Sequence, residues 1–168
     1  AAKERSLGNI DKALDYYSQC IHIDGRNHAA MYEVARIYEE KKKYNDALFF
    51  STSASQLDPS NEWYKLLSAD LYTATRKMAE AEVLYGQLYR EHPENLDYAL
   101  DYAMALLGNN KIQEAIKVYD EVERQAGTSP ELTMEKQRLW LKLGKTDKAA
   151  AEIEKLIASD KEIGRAHV

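Results

Sequence analysis

The 168-residue chain is 45% hydrophobic and 30% charged, with seven Gly and three Pro, a balance that favours one ordered helical domain over disorder. Its net charge of −5, with no Lys- or Arg-rich window free of interleaved acids, argues against nucleic acid as a partner. Cys20 is the single cysteine, so no intrachain disulfide or Cys-based zinc cluster is available, and the compartment stays undetermined. No apolar run nears the ~20 residues that span a bilayer, so no membrane insertion is expected, and residues 1–10 lack a signal-peptide core.

Ala13, Ala47, Ala81, Ala115 and Ala149 each lie 34 residues after the one before. A period of about 34 residues predicts stacked helix–turn–helix units. Laid back from Ala13, the period makes residues 1–7 half of a first helix, so the chain is read as starting partway through a repeat, with a targeting region able to precede it. Gly8-Asn9 is the expected turn, Ile10 to Ile23 the second helix, and Gly25 a left-handed C-terminal cap.

The second unit predicts helices near 28–41 and 44–57, the third near 62–75 and 78–91. Pro59 and Pro93 stop these units, and Asn61 and Asn95 cap the helices that follow. The fourth unit predicts helices near 96–108 and 112–125 around Gly108-Asn109-Asn110. The fifth opens on Ser129-Pro130, a cap followed by Pro at the first helical position, with helices near 130–143 and 146–159 separated by Gly144. The repeats are thus placed at about 1–27, 28–61, 62–95, 96–129 and 130–161. Residues 162–168 match no repeat position and are read as a tail, added or read through.

These residues resemble the tetratricopeptide repeat family over about residues 1–160. Val34-Ala35, Tyr38, Ala47, Ala54 and Pro59 fill the pattern in the second unit, and Ala69, Tyr72, Ala81, Tyr85 and Pro93 in the third. The resemblance implies an all-α fold, a right-handed α-solenoid of four full repeats and one truncated N-terminal repeat. Small residues let the helices approach, and aromatics fill the wedge between them. Tyr17, Tyr85 and Tyr119 are therefore expected in the core. Ser51 takes that slot in the second unit, which loosens it unless Phe49 or Phe50 repacks. Lys136 and Gln137 replace the apolar and small residues of the fifth, so that helix is expected to pack differently or to cap the stack.

Little in the chain points to catalysis. His22, His28, His92 and His167 show no paired spacing, and Cys20 has no activating His placed by a motif. No phosphate loop, nucleophile elbow or zinc-protease helix occurs, so neither enzyme activity, metal nor cofactor is expected. The 12 tyrosines fall mostly in wedge positions rather than on a stacking platform for bases.

In the resembled family the concave face is lined by the first helix of each repeat. This places Tyr32, Glu33, Arg36, Glu39 and Glu40, then Trp63, Leu66, Leu67 and Asp70, then Asp97, Leu100, Asp101 and Met104 on that face. The resulting groove is acidic and apolar. The Lys and Asn clamp with which some relatives hold a carboxylate is missing, so a partner segment combining basic and apolar residues fits better. The expected function is a non-catalytic scaffold for a protein or peptide. A structural spacer, a self-associating domain or a regulatory domain of a longer protein remains open beside it.

Overall fold

The computed structural model describes residues 2–166, and the side chains of residues 9–159. Among them the chain forms nine helices and no strand: α1 (Ala2–Ile23), α2 (His28–Glu40), α3 (Tyr44–Leu57), α4 (Glu62–Ala74), α5 (Met78–Glu91), α6 (Leu96–Gly108), α7 (Ile112–Ala126), α8 (Pro130–Lys142) and α9 (Thr146–Ala166). They gather into two compact units, residues 1–91 and 92–168. In the first, α1 packs on α2, the α2/α3 and α4/α5 pairs form antiparallel hairpins, and α3 packs on α4. In the second, α6/α7 and α8/α9 are the hairpins and α7 packs on α8.

Each hairpin begins at a side-chain cap that satisfies an amide the helix cannot. Asn27 Oδ1 accepts from the Ala30 amide at 2.9 Å and Asn61 Oδ1 from that of Trp63 at 3.1 Å. Asn95 Oδ1 accepts from the Asp97 amide at 3.1 Å, and Ser129 Oγ from that of Leu132 at 3.2 Å.

The turns inside the hairpins are equally regular. Lys42, Arg76, Asn110 and Gly144 have φ of 57°, 60°, 60° and 71°. The lysine after each donates its amide back across the turn, Lys43 to the Tyr38 carbonyl, Lys77 to Tyr72 and Lys111 to Leu106 at 2.8 Å, and Lys145 to Trp140 at 2.9 Å. One turn later the amides of Ala47, Ala81, Ala115 and Ala149 donate to those same lysines' carbonyls. All four alanines are buried, because a methyl is the largest group that lets the paired helices come this close.

In the first unit Ala35, Ala47, Leu48, Leu67 and Leu71 form one cluster, and Met31, Ala54 and Tyr64 another. Phe50 packs against both and stacks on Tyr38 with ring centroids 5.8 Å apart. It supplies the volume Ser51 lacks. Ser51 is fully buried, its hydroxyl donating to the Leu48 carbonyl at 3.2 Å, while Phe49 points to solvent. In the second unit Leu106, Ile116, Tyr119 and Leu139 are buried. Tyr85 is buried like Tyr119, whereas Tyr17 is half-buried.

Three local expectations need correction. Gly8 falls in register with the left-handed turn residues, yet α1 runs through it unbroken instead of turning at Gly8-Asn9. A turn survives only where the helices it joins bury a shared face, while helix propagation needs local hydrogen bonds alone, and a helical Gly costs only about 1 kcal/mol. The side chains of residues 1–7 lie outside those described. Gly25 is not left-handed, because the Asp24 carboxylate and carbonyl accept from Arg26 and Asn27 and close the turn without it. Finally, α9 extends past residue 159 to Ala166. The side chains of the expected tail, His167 included, lie outside the described residues.

Candidate functional site

The candidate surface of the first unit is built on α2 and α4, whose starting points are set by the Asn27 and Asn61 caps. These fix the rotation of each helix and so decide which residues look outward. Tyr32 and Tyr64 meet with ring centroids 4.9 Å apart and planes inclined by 40°. The Tyr64 hydroxyl lies 3.1 Å from His28 Nδ1, which anchors the buried ring. Burial holds both phenols above the ordinary tyrosine range, and nearby acids add to it. Trp63, one position before Tyr64, is turned outward and 57% exposed.

The acids of this face crowd one another. Burial, and then the negative charge of Asp70, raises the Glu39 carboxyl above its ordinary value, with Arg36 opposing. Asp70 has ample exposed area, yet its carboxyl is enclosed by neighbouring groups. Desolvation raises it, and the Tyr85 hydroxyl, donating to Oδ1 at 2.6 Å, only partly offsets this. A surface that resists its own negative charge is complementary to a cation. Arg36 is the basic residue among these acids, and its guanidinium carbon sits 6.0 Å from the Tyr32 ring centroid.

The structure places Tyr32, Glu33 and Trp63 together in a cleft of about 440 Å³ between α1, α2 and α4. Glu33, Arg36, Glu39 and Glu40 line a second cleft beside it, so Glu33 is common to both. Leu66, on α4, is half-buried. Leu67 is different: it is only 7% exposed, packed with Ala35, Leu48 and Leu71, and belongs to the core instead of the groove. The three- and four-residue steps from Tyr64 through Leu67 and Ser68 to Leu71 form an inward stripe on α4 that takes Leu67 and leaves Leu66 off it.

In the second unit Leu100 lines a cleft of about 360 Å³ with Tyr119, Val122 and Leu132. Asp97 is exposed and Asp101 half-buried on the same helix, and Met104 is 65% exposed. Of the residues lining the first cleft the sequence reading of a partner surface includes Tyr32, Glu33 and Trp63 and misses the others, Tyr16 and Cys20 among them, while Tyr17 is one it assigns to the core. Tyr16 is 64% exposed although it shares the register of Phe50, Leu84 and Val118, so the repeat period alone reads it as packing.

Among the described residues no group of three or more His, Cys, Asp or Glu is arranged to hold a metal ion, and no helix is long and apolar enough to cross a membrane. Lys136 of α8 is completely buried, its ammonium 2.5 Å from Asp120 Oδ1 and 2.9 Å from both Glu123 Oε2 and Glu152 Oε2. This ion cluster ties α7, α8 and α9 together.

Paired helices, repeated caps and repeated left-handed turns define the class of α-helical hairpin repeat proteins. A profile for the tetratricopeptide repeat matches residues 72–134. Over those residues the chain matches the tetratricopeptide repeat, and its described helices have the all-α fold of helical-hairpin repeats. It is 27% identical over 111 residues to an uncharacterized lipoprotein of Treponema pallidum (strain Nichols), covering 66% of this chain and spanning 57% of that protein's length. The crystal structure of YrrB, described as a tetratricopeptide repeat protein with an unusual peptide-binding site, superposes with a TM-score of 0.77 at 16% identity, covering 92% of this chain and 79% of YrrB. The crystal structure of MamA superposes with a TM-score of 0.76 at 14% identity, covering 99% and 91% of the two chains. The general role of such repeats is that of a scaffold for protein–protein contact.

Proposed function

We propose that this chain is a non-catalytic scaffold, a repeat domain over residues 1–161, that holds a basic and apolar partner segment against the outward faces of its first helices. The observation that carries the reading is the juxtaposition in the first unit of Glu39 and Asp70, both held above their ordinary values, with the exposed or half-buried rings of Trp63 and Tyr32. Opposite charge gives such a surface orientation and fast encounter, and the rings give it affinity. Glu33, Arg36 and Leu66 extend it, and Leu100, Asp101 and Met104 offer a corresponding surface on α6. The peptide-binding site ascribed to YrrB supports a peptide ligand here by analogy of fold.

The test is selection from a random peptide display library, using the wild-type chain beside a variant with Trp63→Ala, Leu66→Ala and Asp70→Lys, both verified as helical by circular dichroism. Peptides rich in Lys or Arg and apolar residues, bound by the wild type and lost with the variant, are the expected result. Recovery of the same peptides by both, or of none by either, would replace this reading with that of a spacer or self-associating domain. Sedimentation equilibrium separates those two.

A further inference from the structure

The strongest unassigned feature is the interior of the cleft between α1, α2 and α4. Its floor is Tyr64, which is buried, and its walls include Tyr16 and Tyr17 from α1, Tyr32 from α2 and Trp63 from α4. Five aromatic rings around one cleft are more than the wedge packing of the repeats accounts for, since Tyr16 and Trp63 are both more than half exposed. No lysine or arginine lines it, and Glu33 is its one charged residue.

The lining decides between ligand chemistries. A carboxylate or phosphate would meet Glu33 with no cation in the lining itself, Arg36 lying outside it beside the Tyr32 ring, so acidic termini and nucleotides are disfavoured. A purely apolar side chain would be served by the rings but would make no use of the Glu33 charge beside it. A cation gains from both, through attraction to ring faces and to the carboxylate. Between the two cationic side chains, the ammonium of lysine is compact and strongly hydrated, whereas a guanidinium is planar, weakly hydrated and stacks on aromatic rings. On the rim of the cleft the Arg36 guanidinium carbon lies 6.0 Å from the Tyr32 ring centroid, one turn further along the same helix.

The geometry points to this cleft as an arginine-anchoring pocket, in which the guanidinium of one arginine in a partner segment lies among Tyr16, Tyr32 and Trp63 with its charge met by Glu33. The inference rests on the scaffold reading above and sharpens it: the neighbouring acids around Glu39 and Asp70 orient the segment, and the ring-lined cleft selects one side chain of it.

The probe is a fluorescein-labelled hexapeptide of glycine and serine bearing one leucine and one arginine, compared by anisotropy with counterparts in which citrulline or lysine replaces the arginine. Citrulline keeps the shape of arginine and removes its charge. The arginine peptide is expected to bind at least about tenfold more tightly than either. Glu33→Gln and Trp63→Leu are expected each to remove most of that difference, while Glu154→Gln on α9 leaves it unchanged; all three sites are on the surface, and circular dichroism confirms folding. Equal binding of the arginine and citrulline peptides would overturn the cation assignment, and equal binding of arginine and lysine the guanidinium assignment. A dimer seen by sedimentation that Trp63→Leu dissociates would show the cleft to be a contact between copies, and would also overturn it. If the peptide library above yields ligands without arginine enrichment, this inference falls and the scaffold reading stands; if it yields none, both fall.

Discussion

At the scale of single residues the second unit turns on Lys136. Burial works against its charge, yet the hydrogen bonds it donates to Asp120, Glu123 and Glu152 outweigh that and hold the ammonium above the ordinary lysine value of 10.5. Glu152 also accepts from Trp140 Nε1 and Lys155 Nζ, each at 3.2 Å. Replacing Lys136 by Met leaves the Glu123 and Glu152 carboxylates, 13% and 6% exposed, with only the half-exposed Lys155 as a cation, 3.7 and 3.2 Å away. Such one-sided removal is expected to cost about 3–5 kcal/mol in urea unfolding, and adding Glu152→Gln is expected to recover part of it. Asp70 behaves in the opposite sense. Its folded value is raised above 3.8, so the folded state holds its proton more tightly than the unfolded chain does, and stability falls as pH rises through that interval. Asp70→Asn keeps an oxygen for the Tyr85 hydroxyl, so its urea midpoint at pH 7 is expected to equal or exceed that of the wild type, with the acid-side gain abolished. An acid that costs stability where it stands is consistent with retention for binding. The sequence singled out Lys136 as a misfit in its repeat but could not name its partners, which come from helices on either side in the chain. Leu67 was misplaced for a related reason: on α4 the boundary between groove and core passes between two adjacent leucines.

At the scale of elements the hairpin turns carry the clearest lesson. The left-handed residues at 42, 76, 110 and 144 follow the same period as the alanines, but only Asn110 and Gly144 are residues that favour φ > 0. Lys42→Gly and Arg76→Gly are each expected to raise stability by about 1 kcal/mol, since the left-handed conformation costs a side-chain-bearing residue roughly that amount. Gly144→Arg is expected to lose a similar amount, through backbone strain, since a Cβ there would meet no atom within 4 Å. Differential scanning calorimetry on the three variants checks both signs. The turns at Gly108-Asn109-Asn110 and Gly144 were legible from composition. Those at Lys42 and Arg76 were legible only through the period, because neither side chain signals a turn. The period failed at Gly8, where the residue type fits a turn and the chain stays helical.

At the scale of the molecule the ion cluster makes the second unit sensitive to acid. The bonds from Lys136, Lys155 and Trp140 outweigh burial and depress the Glu152 carboxyl below its ordinary value of 4.5. A depressed carboxyl contributes stability that is present above its unfolded value and is lost as pH falls through its folded one. Hydrogen exchange is therefore expected to show α8 and α9 losing protection as pH drops below 4.5, whereas α2 and α4 gain as Glu39 and Asp70 take up protons above 4.5 and 3.8 respectively. The overall fold class was readable because small residues, caps and breakers repeat together. The partner surface was readable only in outline, since the same helical step that marks an outward position says nothing of what a neighbouring helix covers.

The two buried lysines also make the protein its own footprinting reagent. Lys65 is nearly sealed in the first unit, its ammonium bonded to Glu91, and Lys136 is sealed in the second. Acylating agents modify only amines that reach water uncharged, so under brief labelling these two sites are expected to stay blank in peptide mass maps while exposed lysines such as Lys12, Lys117 and Lys148 react. The order in which the two blanks fill then reports how readily the segment holding each lysine opens.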